Sequence, residues 1–142
     1  MFTGLLIFSK KYGLFILCLL IGTVYGHYAN MLSSDSRLDY FARLQTPYMN
    51  TTDMCLELYY QLKSTAIVSK PIIQIGVIDE EKQLTYLASS NGDNRTSWER
   101  LFARLPDGLH RIVIEGRRSA THYCDMSIDD VVVQPCDQFG EY

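Results

Sequence analysis

What most constrains this chain is a succession of short strand-like runs cut apart by turn residues. Residues 55–63 (CLELYYQLK) alternate, which puts Leu56, Leu58, Tyr60 and Leu62 on one face. Residues 71–79 (PIIQIGVID) are rich in Ile and Val and are bounded by proline and acidic residues. Residues 83–89 (QLTYLAS) read as a weaker strand, and residues 109–116 (LHRIVIEG) and 126–134 (MSIDDVVVQ) as stronger ones. Residues 98–105 (WERLFARL) have apolar positions at a helical spacing. The Gly92-Asp93-Asn94 turn before them and Pro106-Asp107-Gly108 after them favour a strand instead. Because residues 109–116 follow at once, the two segments are expected to form a hairpin.

No stretch sustains the period of a long amphipathic helix, and there is no internal repeat. Strands about 8–15 residues apart with turn signals between them predict an all-β fold, an antiparallel jelly-roll-like sandwich. At 142 residues the chain has room for one such domain. Its net charge of −3, with Lys and Arg scattered, excludes a nucleic-acid track.

The N-terminus departs from this pattern. Lys10-Lys11 precede an uncharged apolar run over residues 12–25. Positive charge followed by roughly 7–15 apolar residues is the layout of a secretory leader, an apolar helix. Val24-Tyr25-Gly26 places small residues for cleavage, which would leave His27 first. The rival reading is an uncleaved anchor over residues 12–30 with the domain lumenal or extracellular. The expected organisation is therefore a leader at 1–26, a polar linker at 27–37, a sandwich at 38–136 and a tail at 137–142. Asn50-Thr51-Thr52 and Asn94-Arg95-Thr96 are N-glycosylation sequons in turn-like stretches, consistent with the same route.

Behind the leader's Cys18 the chain has three cysteines, Cys55, Cys124 and Cys136. In an oxidising compartment two should pair and one is left over. Cys55 opens the first strong strand and Cys136 closes the last. Joining them would restrict the unfolded chain by about 4 kcal/mol in the loop-entropy model. A Cys124–Cys136 bridge would close a much shorter loop.

Five segments carry a family resemblance. Ala42-Arg43-Leu44-Gln45-Thr46-Pro47 followed by Cys55-Leu56-Glu57-Leu58-Tyr59-Tyr60 resembles the A-x-L-x-S-P … C-L-x-F-x-Y stretch of MAM domains. Ser97-Trp98-Glu99-Arg100 is similar to the family's Trp strand, and Arg111-Ile112-Val113-Ile114-Glu115-Gly116 to its V-x-F-E-G strand. Ser127-Ile128-Asp129-Asp130-Val131 followed by Cys136 resembles the closing I-A-I-D-D-I … C. MAM domains are modules of meprins, neuropilins and mu-class receptor tyrosine phosphatases, where they support adhesion and receptor assembly. The resemblance spans residues 38–136 and implies a sandwich that lacks the family's first strands and first disulfide. It places the family's second disulfide on Cys55 and Cys136 and leaves Cys124 free or bonded to another chain. It implies an extracellular, non-catalytic module for protein contact, adhesion or self-association. The alternatives are a carbohydrate-binding sandwich, or a partial copy of a larger membrane protein with MAM domains.

Chemistry-bearing residues are few. Asp129-Asp130 could contribute oxygens to a Ca²⁺ site, but a cation needs several more, so one Asp capping a bulge and the other facing water is the expectation. No cofactor is otherwise implied. His27, His110 and His122 are isolated, and His122-Tyr123-Cys124 falls short of a zinc ligand set. Asp79-Glu80-Glu81 reads as a solvated hairpin tip. No nucleophile–base pair or phosphate-binding glycine loop is present. Trp98, Tyr59, Tyr60 and Phe102 could form a sugar-stacking platform; packing between two sheets is the expected role.

Overall fold

The computed structural model describes residues 7–9, 15–16, 29–32, 41–64, 71–90, 95–117 and 124–140. Among them the chain forms β1 (Ile7–Ser9), β2 (Phe15–Ile16), β3 (Ala29–Leu32), β4 (Phe41–Gln45), β5 (Met49–Thr51) and β6 (Met54–Ser64). Then come β7 (Ile72–Ile78), β8 (Leu84–Ser89), β9 (Arg95–Arg104), β10 (Gly108–Arg117), β11 (Cys124–Pro135) and a 3₁₀ turn, Cys136–Gln138. The first sheet runs β1-β4-β10-β7-β8, with β5 added on β10. The second runs β2-β3-β11-β6-β9, and all pairings in both sheets are antiparallel.

Alternation builds the core. Leu44, Ile73, Ile75, Val77, Ile112 and Ile114 point inward from the first sheet. Leu56, Leu58, Tyr60, Leu62, Leu101, Ala103, Met126 and Ile128 meet them from the second. Burying each large apolar side chain stabilises the fold by about 1.5–3 kcal/mol before the entropy of ordering is set against it.

The structure corrects three sequence expectations. Residues 98–105 and 109–116 are both strands, but they do not form a hairpin. β9 pairs with β6 and β10 with β4, β5 and β7, so the chain changes sheets between them. The reason lies in Pro106-Asp107-Gly108, which makes a corner rather than a tight hairpin turn. Gly108 takes φ 111°, the Thr51 hydroxyl donates to the Pro106 carbonyl, and the Asp107 carboxylate accepts the Asp53 N–H. Second, residues 29–32, expected in a linker, are β3 and pair with β11. Third, the tail begins as the 3₁₀ turn, which brings Phe139 against Phe102 with ring centroids 5.3 Å apart. Most of the leader lies outside the described residues. Its described pieces, β1 and β2, are extended and pair with β4 and β3. No helix among the described residues is long and apolar enough to cross a membrane.

Two polar devices lock the sandwich. Cys55 and Cys136 are disulfide-bonded across the β6–β11 ladder, 81 residues apart in sequence with Cα atoms 4.9 Å apart. In the first sheet, Glu115 on β10 is a fully buried carboxylate. Arg43 on β4, directly opposite it in register, donates from Nε at 3.0 Å and Nη2 at 2.6 Å to one oxygen. Arg117 Nε and the Tyr86 hydroxyl each donate to the other at 2.7 Å. Burial alone would raise the Glu115 pKa. The hydrogen bonds from Tyr86, Arg43 and Arg117, with the Arg43 charge, outweigh it and hold the group below its ordinary value of 4.5.

His110, buried on the core side of β10, is shifted down from 6.5 by burial alone. The Thr51 hydroxyl gives its proton to Pro106, so it accepts from His110 Nε2 at 3.2 Å.

Replacing both Cys55 and Cys136 by Ser is expected to lower unfolding free energy by about 4 kcal/mol in urea denaturation; a loss below about 1 kcal/mol would mean the bridge is dispensable. Acid should act in two windows. His110 is protonated more readily when unfolded, so stability falls as pH drops below about 6.5. Glu115 binds protons less readily when folded, so its contribution is intact above about 4.5 and lost below that. Melting curves of His110→Gln and Glu115→Gln against pH should flatten the upper and lower windows respectively.

Candidate functional site

The core takes one face of each sheet. On the second sheet, β9 alternates buried Leu101 and Ala103 with outward Arg100, Phe102 and Arg104, and Trp98 follows the same side at 41% exposure. On the neighbouring β6, Glu57 stands opposite Phe102 and Tyr59 opposite Arg100. Asp129 of β11 stands opposite Tyr59 on its far side. The outcome is a continuous aromatic and charged surface across three strands.

Ion pairs and ring contacts stiffen it. Arg100 bonds the Glu57 carboxylate and stacks over Phe102, with its guanidinium carbon 4.7 Å from the ring centroid. Arg104 pairs with Asp53 in the open, where such a pair contributes little. Phe102 packs edge-on against Phe139 yet stays exposed. Guanidinium–aromatic stacking contributes about 0.5–1 kcal/mol at exposed sites. It also removes rotamer freedom before any partner arrives.

The structure sorts the four aromatics expected in the core. Tyr60 is there. Trp98 and Phe102 are not, because the β9 register gives the inward places to Leu101 and Ala103. Tyr59 is half-buried on the outer face. Phe139 belongs to the same surface, although nothing before the 3₁₀ turn in the sequence signals that it folds back.

Other expected sites disperse. Asp129 and Asp130 flank a bulge where the β6–β11 register shifts. The Asp130 N–H donates to Asp129 Oδ1 at 2.8 Å, and Asp130 sits exposed at φ 49°. Among the described residues no three His, Cys, Asp or Glu side chains converge on a cation position. Asp79, Glu80 and Glu81 form the exposed tip of the β7–β8 hairpin, with Lys82 at φ 63°. Asn50 is exposed on β5, whereas Asn94, His27 and His122 lie outside the described residues. Cys124 opens β11 opposite Ser64; its side chain is outside them too.

Comparisons with known proteins agree with this architecture. The family model described as MAM domain, meprin/A5/mu, matches residues 20–137, starting upstream of the boundary at 38 read from the motifs. No curated protein matches the sequence. The structure of TmCBM61 in complex with β-1,4-galactotriose superposes with a TM-score of 0.50 at 11% identity, covering 77% of this chain and 70% of that one. The secreted serine protease VesC from Vibrio cholerae gives 0.52 at 14% identity over 80% of this chain and 22% of its own. A structure of carbohydrate-binding modules from the β-sandwich superfamily gives 0.52 at 11%, over 93% and 53%. The chain thus spans well under two thirds of the last two. At such identities the likeness is one of fold.

The sorting of aromatics has a measurable consequence. Tyr60→Ala should lower stability by about 3–5 kcal/mol, as for a large core side chain. Trp98→Ala should change it by under about 1 kcal/mol. Denaturant unfolding compares the two; equal losses would place Trp98 in the core after all.

Proposed function

Since the chain belongs to the MAM domain family, we propose that it works outside the cell as a non-catalytic module that joins protein surfaces. MAM domains are extracellular binding modules. The observation that carries the proposal is the outer face of the second sheet, where Trp98, Phe102 and Arg100 are held in contact-ready positions that the core does not need. Aromatic residues and Arg are the types that concentrate binding energy at interfaces. The leader at 1–26, with cleavage after Gly26, would deliver the domain to the lumen; retention of residues 12–30 as an anchor is the alternative route. Glycans at Asn50 and Asn94 fit either route. Cys124, left outside the Cys55–Cys136 bridge, is available in this reading to link two chains covalently.

A second reading keeps the same face and changes the ligand. Exposed Trp98 and Phe102 rings suit sugar stacking, and two of the structurally similar proteins are carbohydrate-binding modules.

Protein secreted from eukaryotic cells separates these readings. Sedimentation should show concentration-dependent self-association that Trp98→Ala and Phe102→Ala each weaken at least tenfold, the usual scale for an interface anchor. Non-reducing gels should show a dimer that Cys124→Ser removes. A strict monomer that fails to cluster coated beads would end the self-association form of the proposal.

A further inference from the structure

The proposed function leaves the outer face of the first sheet unused. Its centre is β10, where Arg111, Val113, Glu115 and Arg117 alternate with inward Ile112 and Ile114. Val113 and Glu115 are fully buried even on this side. Gly76 of β7 stands opposite Val113 and Tyr86 of β8. A Cβ at Gly76 would sit 2.9 Å from the Thr85 carbonyl and 3.2 Å from both Tyr86 and Leu84. The missing side chain is what lets Tyr86 lie this close over the sheet.

Two tyrosines frame this face. Tyr86 donates to Glu115 yet keeps 37% of its surface exposed. Tyr48 crosses from the β4–β5 connection, donates its hydroxyl to the Asp79 carbonyl and keeps 39% exposed. The Arg111 guanidinium lies over the Tyr48 ring at 4.6 Å.

One cation of this face stands apart from the Glu115 cluster. Arg43 and Arg117 both serve the single carboxylate of Glu115. Arg111 adds a third cation, and among the described residues no carboxylate pairs with it. Its Nε is buried without a hydrogen-bond partner, an unusual state for a charged donor. Arg111 is thus a cation beside the Glu115 cluster rather than within it, on a protein of net charge −3. The acidic hairpin tip, Asp79 to Glu81, bounds the face at the Tyr48 end.

We propose that this face binds an acidic oligosaccharide, its sugar rings packed on Tyr48 and Tyr86 and its carboxylate or sulfate held by Arg111. The planar guanidinium suits bidentate binding of such groups, and stacking on Tyr48 fixes its plane. An acidic peptide fits less well. β10 is flanked by β4 and β7, so its edges are not open here to take a peptide backbone. The inference does not rest on the Trp98 face.

The test uses the chain secreted from eukaryotic cells on an array of neutral, uronate-bearing and sulfated oligosaccharides, with poly-glutamate as the acidic peptide probe. Acidic sugars should bind, more weakly as salt rises. Arg111→Gln should weaken binding about tenfold or more, the scale of a lost charged hydrogen bond. Arg111→Lys should not restore it, because an ammonium has neither the fork nor the stack. Gln138→Ala, exposed on the 3₁₀ turn, should leave it unchanged. Should Arg111→Gln fail to melt cooperatively, Tyr48→Ala is expected to show the same loss. No glycan binding, equal binding of neutral sugars or poly-glutamate, or full binding by folded Arg111→Gln and Tyr48→Ala would overturn the proposal.

Discussion

A carboxylate without water needs all of its partners at once, and Glu115 is such a group. Its partners come from three strands: Arg43 from β4, Tyr86 from β8 and Arg117 from β10 itself. Losing one partner from a buried ion pair costs about 3–5 kcal/mol, because the remaining charge stays dry. The cluster therefore ties the β8 edge and β4 to the strand between them, and it does so on the side of the sheet away from the core. Apolar packing holds the two sheets together; this polar cluster links β4, β8 and β10 within the first. The disulfide does the corresponding work in the second sheet, where it fastens the ends of β6 and β11.

The same cluster shapes the surface. Arg43, Tyr86 and Arg117 converge on Glu115 from the outer face of the first sheet and leave it fully buried there. Among the described residues the second sheet has no fully buried carboxylate, and its outer side chains pair with one another, Arg100 with Glu57 and Phe102 with Phe139. The two faces of one sandwich thus differ in kind. One centres on a buried carboxylate between tyrosines, the other on exposed aromatic rings and ion pairs.

The fold was legible where a two-residue period had a buried face to report. Leu56, Leu58, Tyr60 and Leu62 gave both the strand and its orientation. It was less legible where the same residues satisfy two periods. Trp98, Leu101, Phe102 and Leu105 sit at helical spacing, yet in the strand Leu101 turns inward while Trp98 and Phe102 turn outward. Local turn chemistry misled at Pro106-Asp107-Gly108: a hairpin and a corner between sheets use the same residues, and only the distant partners Thr51 and Asp53 decide. Neither the Glu115 cluster nor the Tyr48–Arg111 stack has a sequence signature. Arg43 and Glu115 are 72 residues apart and meet only through strand order.

The N-terminal strands sharpen what the leader reading requires. β3 lies downstream of Gly26 and covers the β11 edge of the second sheet, so a chain beginning at His27 keeps that strand. β1 and β2 lie upstream and span three and two residues. Their removal would uncover the outer edges of β4 and β3 without touching the buried cluster or the disulfide. An uncovered edge is a template for pairing with another strand. Cleavage after Gly26, if it occurs, would therefore expose β4 and β3 as edges. An anchored chain that retained β1 and β2 would keep the β4 and β3 edges paired, leaving β1, β2, β8 and β9 as the edge strands.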